Sequence, residues 1–205
     1  MTEAEAKAWI ASRFGDAGKA AMAQFAAIVV EENARQNLIA PSTVESIWTR
    51  HIVDSAQLIG LAVGAPPGDW IDIGSGAGFP GLVIAALTDR SVWLVEPRKR
   101  RAEFLVEVAK ALEIADRTHV ICDRIEKIAR PAALISARAV GPLTELFGWA
   151  RDCTTPDTRW ILPKGRSARE EVAIAEQGWH GVFHVEHSLT DPDSLIVLAS
   201  GVSRR

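Results

Sequence analysis

Trp70-Ile71-Asp72-Ile73-Gly74-Ser75-Gly76-Ala77-Gly78-Phe79-Pro80-Gly81 reads as a strand that turns sharply into a helix. The apolar run is short, follows the turn cluster Gly64-Ala65-Pro66-Pro67-Gly68, and ends in glycines. That is the punctuation of a buried strand in a parallel sheet. Pro80 suits a first helical turn, where its missing N–H is not needed. Strand, glycine turn and helix in this order open a βαβ unit, so the stretch predicts an α/β fold.

Toward the C-terminus the pattern repeats. The strand at 69–73 is followed by short apolar runs at 91–95, 117–121, 132–137, 158–162, 181–186 and 194–199, separated by helix-period or turn-rich segments. After the second strand, Ala102, Leu105, Val106, Ala109 and Leu112 recur at helical spacing and predict the face turned to the sheet. The last two strands are joined by His187-Ser188-Leu189-Thr190-Asp191-Pro192-Asp193. Seven residues cannot hold a crossover helix, so these strands are expected to form an antiparallel hairpin. A mostly parallel sheet with such an ending suits a class I methyltransferase, whereas nicotinamide-binding Rossmann sheets stay parallel.

Toward the N-terminus the chain is helical. Met22, Phe25 and Val29 fall on one stripe within the alanine-rich first 36 residues, and a second helical stretch is predicted from about Val44 to Leu61. At 205 residues the chain is read as one domain: an N-terminal helical cap over 1–64 and a Rossmann-like core over 65–205.

Gly76, Gly78 and Gly81 satisfy G-x-G-x-x-G, and Glu96 lies 20 residues beyond Gly76. The motif serves both a dinucleotide and an aminoacyl nucleoside. Asp72 inside the strand and the amide lost at Pro80 favour the second, because a diphosphate needs that donor more than a ribose does. Asp72 is placed to order the loop and a cofactor's ammonium end. Glu96, at the carboxyl end of the second strand, is placed to accept ribose hydroxyls.

With these residues in hand, the sequence resembles the ribosomal RNA small-subunit methyltransferase G family, also called the glucose-inhibited division protein B family. The likeness runs from about Asn33 to Gly165. It is carried by Asn37-Leu38, Arg50-His51-Ile52-Val53-Asp54-Ser55, the turn Asp72 to Gly81, Lys99-Arg100 with Phe104-Leu105, Asp123-Arg124-Ile125-Glu126, Ser136-Ala137-Arg138-Ala139 and Leu162-Pro163-Lys164-Gly165. The resemblance implies S-adenosylmethionine as methyl donor and N7 of a guanine in the 530 loop of 16S ribosomal RNA as acceptor. By it Gly74 and Phe79 line the cofactor, as the turn itself assigns Gly76 and Gly78, while Ile125 and Glu126 lie along its adenine and Arg138 reaches it from the fourth strand. The chain departs from the family's usual residues at Glu32, Ile39 and Glu96, where Trp, Thr and Asp are more common.

Guanine N7 carries a lone pair and no proton, so its methylation needs no general base. Accordingly, no Ser-His-Asp set, catalytic carboxylate pair or metal-ligand spacing is found among His51, His119, His180, His184 and His187. Arg138 and Lys164 each follow a predicted strand and are read as the catalytic pair, since Arg and Lys suit guanine O6 and phosphate. Arg35, Asn37, Arg50, His51, Lys99, Arg100 and Lys164 are assigned to the RNA. Lys99 and Arg100 lie in the densest basic run, Arg98-Lys99-Arg100-Arg101, with Arg166 and Arg169 extending the patch. His51 and Asp54 share a helix face and are expected to pair.

A hydrophobic share of 48% and a charged share of 24% exclude a disordered chain, and a net charge of −3 excludes a non-specific nucleic-acid coat. Cys122 and Cys153 are too few for a disulfide framework and are expected to be buried thiols. Without a signal-like start or membrane span, the protein is expected to be cytoplasmic, monomeric and free of metal, with the small ribosomal subunit as partner. Two other readings stay open: a NAD-dependent oxidoreductase, and a non-catalytic ribosome-assembly factor of the same fold.

Overall fold

The computed structural model describes all 205 residues. Helix α1 (Glu3–Gln36) and the short α2 (Asp54–Leu61) form the cap. The core runs β1 (Trp70–Ile73), α3 (Gly81–Leu87), β2 (Val92–Val95), α4 (Lys99–Ala111), β3 (Thr118–Ile121), β4 (Leu134–Ala137), α5 (Leu143–Trp149), β5 (Arg159–Pro163), α6 (Ala168–Gly178), β6 (Trp179–His187) and β7 (Leu195–Arg204). The strands make one 7-stranded sheet in the order β3-β2-β1-β4-β5-β7-β6. β1 to β5 pair in parallel, while β7 lies antiparallel between β5 and β6. The hairpin expected from the loop length is present, and β7, not β6, docks against β5.

Side-chain alternation along β1 sorts the two layers. Trp70 enters a core shared by α1, α2, α3 and α4, whereas Ile71 and Ile73 enter the core under α5 and α6. The α1 stripe Met22, Phe25 and Val29 is fully buried against the first of these cores. α1 is interrupted at Gly15, whose φ of 71° and ψ of −178° break the helix; a bend at glycine needs no side chain to yield.

Three expectations are corrected. The second helical stretch begins as a π-helical turn at Trp48–Val53 and becomes α-helical only at Asp54. On α4 the buried stripe is Ala102, Phe104, Leu105, Val108 and Ala109; Val106 faces solvent and Leu112 only packs at the margin. Cys153 is buried as expected, but Cys122 is exposed at the end of β3.

The π turn is anchored from the start of the chain. Glu3 Oε2 accepts the Trp48 N–H at 3.1 Å, and Oε1 accepts the Thr49 N–H and hydroxyl at 2.8 and 2.7 Å. Such wide turns leave amides without helical partners, and a carboxylate at that end supplies them.

Candidate active site

The glycine turn is stapled to the neighbouring strand. Gly74 and Ser75 donate their N–H groups to the Val95 carbonyl at 2.8 and 3.2 Å, and Gly76 donates to Glu96 Oε2 at 3.0 Å. Gly78 sits at φ 92°, and a Cβ there would lie 2.4 Å from Leu82 Cδ1, so any other residue would be strained and would displace Leu82. Beneath the turn Asp72 is fully buried: Oδ2 accepts the Gly81 N–H at 3.1 Å and Oδ1 the Ser136 hydroxyl at 2.7 Å. Ser136 in turn accepts the Trp70 indole N–H at 3.0 Å. Burial pushes the Asp72 carboxyl up to about 6, against these bonds.

The turn opens onto a cavity of about 780 Å³. It is lined by Gly74, Ser75, Gly76 and Phe79 of the turn, by Arg50, His51 and Asp54 of the cap, and by Arg138, Lys164 and the loop between β6 and β7. Arg138 leaves the end of β4 and reaches the cap. Its Nη1 donates to the Arg50 carbonyl at 3.1 Å and to Asp54 Oδ2 at 3.2 Å, and its Nη2 lies 3.0 Å from His51 Nδ1. Its guanidinium stands 5.3 Å from the centre of the Phe79 ring, which is tilted against His51 at 5.0 Å. Burial, with the charges of Arg138 and Arg50, pushes the His51 imidazole down to about 3. The expected His51–Asp54 pair therefore does not bond directly; Arg138 bridges it.

Lys164 is nearly buried, with Nζ 2.9 Å from Glu171 Oε2 and bonded to the Gly141 carbonyl. Burial alone would raise the Glu171 carboxyl, but the bonds from Lys164 and Ser167 outweigh it and hold it below its usual range. Arg50 pairs with Asp191 at 3.0 Å, and Arg166 pairs with Asp193, so two arginines at the rim meet acids of the β6–β7 loop. Asp54 Oδ1 also accepts from Gln57 and Thr190 at 3.0 and 3.2 Å, tying that loop to α2.

Of the residues singled out from sequence, Gly74, Gly76, Phe79, Arg50, His51, Arg138 and Lys164 come together on this cavity. Asp72, Gly78 and Glu96 are buried behind its wall, and Ile125 packs into the core beneath α5 and α6. Arg35, Asn37, Lys99, Arg100 and Glu126 are exposed outside it. Arg35 is paired with Glu32 at 3.0 Å, and Asn37 caps α1 with φ 50°. Arg98 to Arg101 crowd the start of α4, which has no acid in its first turn. Positive charge at a helix's positive end is unfavourable, so the helix's own stability does not account for the run. Sequence reasoning missed Arg101, Ser188, Thr190 and Ser194 as lining residues. The hairpin loop's polar composition marked it as a turn, and only the placement of β7 beside β5 brings it over the cavity. No group of three or more His, Cys, Asp or Glu side chains converges as a metal site, and no helix is long and apolar enough to cross a membrane.

Similarity to known proteins identifies the family. The model of the family described as rRNA small subunit methyltransferase G matches residues 18–190. A ribosomal RNA small subunit methyltransferase G of Rhizorhabdus wittichii is 47% identical, covering 100% of this chain and 95% of the relative. One of Novosphingobium aromaticivorans is 45% identical, covering 97% and 88%. Among solved structures, an O-methyltransferase of Bacillus cereus in complex with SAH superposes with a TM-score of 0.58 at 14% identity, covering 86% of this chain and 90% of that one, a likeness of fold. A strand order with β7 inserted antiparallel, a matching family model and near-full-length relatives at almost half identity lead to one assignment: this chain belongs to the rRNA small subunit methyltransferase G family.

Proposed function

We propose that the chain transfers the methyl group of S-adenosylmethionine to N7 of a guanine in the 530 loop of 16S ribosomal RNA. The observation that carries the reading is a single cavity lined by both the glycine turn and Arg138, which leave the carboxyl ends of the adjacent strands β1 and β4. The residues fit the cofactor. Gly74, Gly76 and Phe79 line the cavity without polar side chains of their own. Glu96, 3% exposed behind them, keeps a lone pair for a ribose hydroxyl on each oxygen beside its bonds from Gly76 and Arg98 N–H. Asp72 holds the turn from behind, Ile125 and Glu126 are assigned to the adenine side, and Arg138 to the methionine side and the guanine.

Bound there, the cofactor supplies an electrophilic methyl group. The protein has no proton to move: guanine N7 carries none, and both ring nitrogens of His51 are already engaged. Arg138 and Lys164 are the catalytic residues by orientation, fixing the base relative to the turn. Orientation of this kind lowers a barrier by several kcal/mol. Arg50, Lys99 and Arg100 are assigned to RNA phosphates, with Arg35 and Asn37 at the margin. The chain acts as one cytoplasmic domain, cap and core together, and as a monomer on the small subunit.

The test is labelled methyl transfer to small subunits, with N7-methylguanosine mapped in their RNA with and without the protein. Label at that guanine is expected. Protein that binds S-adenosylmethionine yet transfers nothing would favour the assembly-factor reading, and stabilisation by NAD alone would restore the oxidoreductase.

A further inference from the structure

The hydrogens around Arg138 can be assigned from their neighbours. A guanidinium donates five N–H bonds and accepts none. Arg138 Nη2 lies 3.0 Å from His51 Nδ1, so that nitrogen must be the unprotonated acceptor. His51 Nε2 lies 2.8 Å from Thr43 Oγ1, whose own hydroxyl is donated to the Ala40 carbonyl at 2.8 Å. Nε2 therefore carries the ring's single proton and donates to Thr43. The imidazole is neutral in one tautomer, as its burial between Arg138 and Arg50 requires.

Three of the five Arg138 donors are taken by the cap: two by the Arg50 carbonyl and Asp54, one by His51. The Nε–H and the second Nη2 hydrogen remain. With Phe79 against both the ring and the guanidinium, the side chain has little freedom to turn.

We propose that His51 is a positioning residue acting through Arg138, not an RNA contact: as a neutral acceptor it fixes the guanidinium so that its two spare N–H groups meet the target guanine, O6 being the acceptor beside N7. This rests on the reading of the site as a guanine-N7 methyltransferase. The π-helical turn explains the register, because it brings the His51 ring and the Arg50 carbonyl to the same guanidinium.

Two measurements separate this proposal from that reading. Nitrogen–proton NMR of the His51 ring in the protein without substrate is expected to show protonated Nε2 and bare Nδ1 between about pH 5 and 8. A protonated ring, or the other tautomer, overturns the proposal whatever the enzyme methylates. The second compares His51→Asn, whose amide oxygen stands near Nδ1, with His51→Gln, whose amide reaches Nε2. His51→Asn is expected to keep the Arg138 side-chain N–H resonances and most of kcat. His51→Gln is expected to broaden those resonances and lose roughly ten- to hundredfold in kcat, with cofactor affinity and KM for small subunits little changed. Equal turnover by the two variants, or a parallel loss of thermal stability and RNA affinity in both, overturns it. Failure of the parent protein to methylate any guanine would instead strike the proposed function and leave the NMR result standing.

Discussion

The substitution Asp72→Asn tests how the glycine turn is held. Asp72 is fully buried, and burial pushes its carboxyl from 3.8 to about 6, partly opposed by bonds from Ser136 and Gly81. A folded-state pKa above the unfolded one means that folding favours the protonated form. The associated stability is full below the unfolded value near 4 and is lost as pH rises through about 6. At about 1.36 kcal/mol per unit, the shift corresponds to about 3 kcal/mol. The amide of the variant cannot ionise. It presents one acceptor and one donor group, as protonated Asp72 does, so Gly81 keeps its acceptor and the Ser136 hydroxyl turns around in either case. The two proteins are therefore expected to match in stability near pH 4. Above about pH 6 the variant should be the more stable, by up to about 3 kcal/mol. Urea unfolding of both proteins at intervals between about pH 4 and 8 reads the difference directly, because every other carboxylate contributes equally to each, provided m is unchanged. A difference that stays flat across this window, or a variant that loses ground as pH rises, would refute the reasoning.

Arg138→Ala is expected to abolish methyl transfer while leaving the fold intact, as read by thermal unfolding; near-normal turnover would show that the site is wrongly assigned. Gly78→Ala, with φ 92° and a Cβ 2.4 Å from Leu82, should destabilise by roughly 1–3 kcal/mol and weaken cofactor binding, checked by thermal unfolding and calorimetry. Neutralising Lys99 and Arg100 together should lower the slope of log affinity for small-subunit RNA against log salt by about 0.7 per charge. An unchanged slope would mean that the start of α4 does not touch RNA.

The strand–turn–helix around Gly74 was readable because its signals are local: a short apolar run, glycines at forced dihedrals and a helix start. The hairpin was readable from a loop too short for anything else. Where β7 lies in the sheet was not, since strand pairing is set by contacts distant in sequence. On α4, Leu105 and Ala109 were placed correctly and Val106 was not, because the wheel leaves open whether residue 104 or 106 borders the stripe; Phe104 takes the larger buried volume. A π-helical turn has no composition of its own, so Arg50 and His51 could be singled out but not their bonds to Arg138. Lys164 was placed at a strand end from sequence, but its clasp by Glu171 depends on how α6 packs. The placements of Gly74, Phe79 and Arg138 on the cavity were legible.

The walls of the cavity are drawn from residues as far apart in the chain as Leu38 and Ile196. Synthesis releases the cap and glycine turn before the last hairpin, and a domain folds as a unit once its chain has emerged. A half-made chain thus lacks the strap that carries Ser188 and Thr190, and with it their bonds to Gln57 and Asp54. Competence should switch on late and abruptly during biogenesis, so that prematurely terminated products are inert bystanders and not poorly discriminating modifiers of the ribosomes that made them.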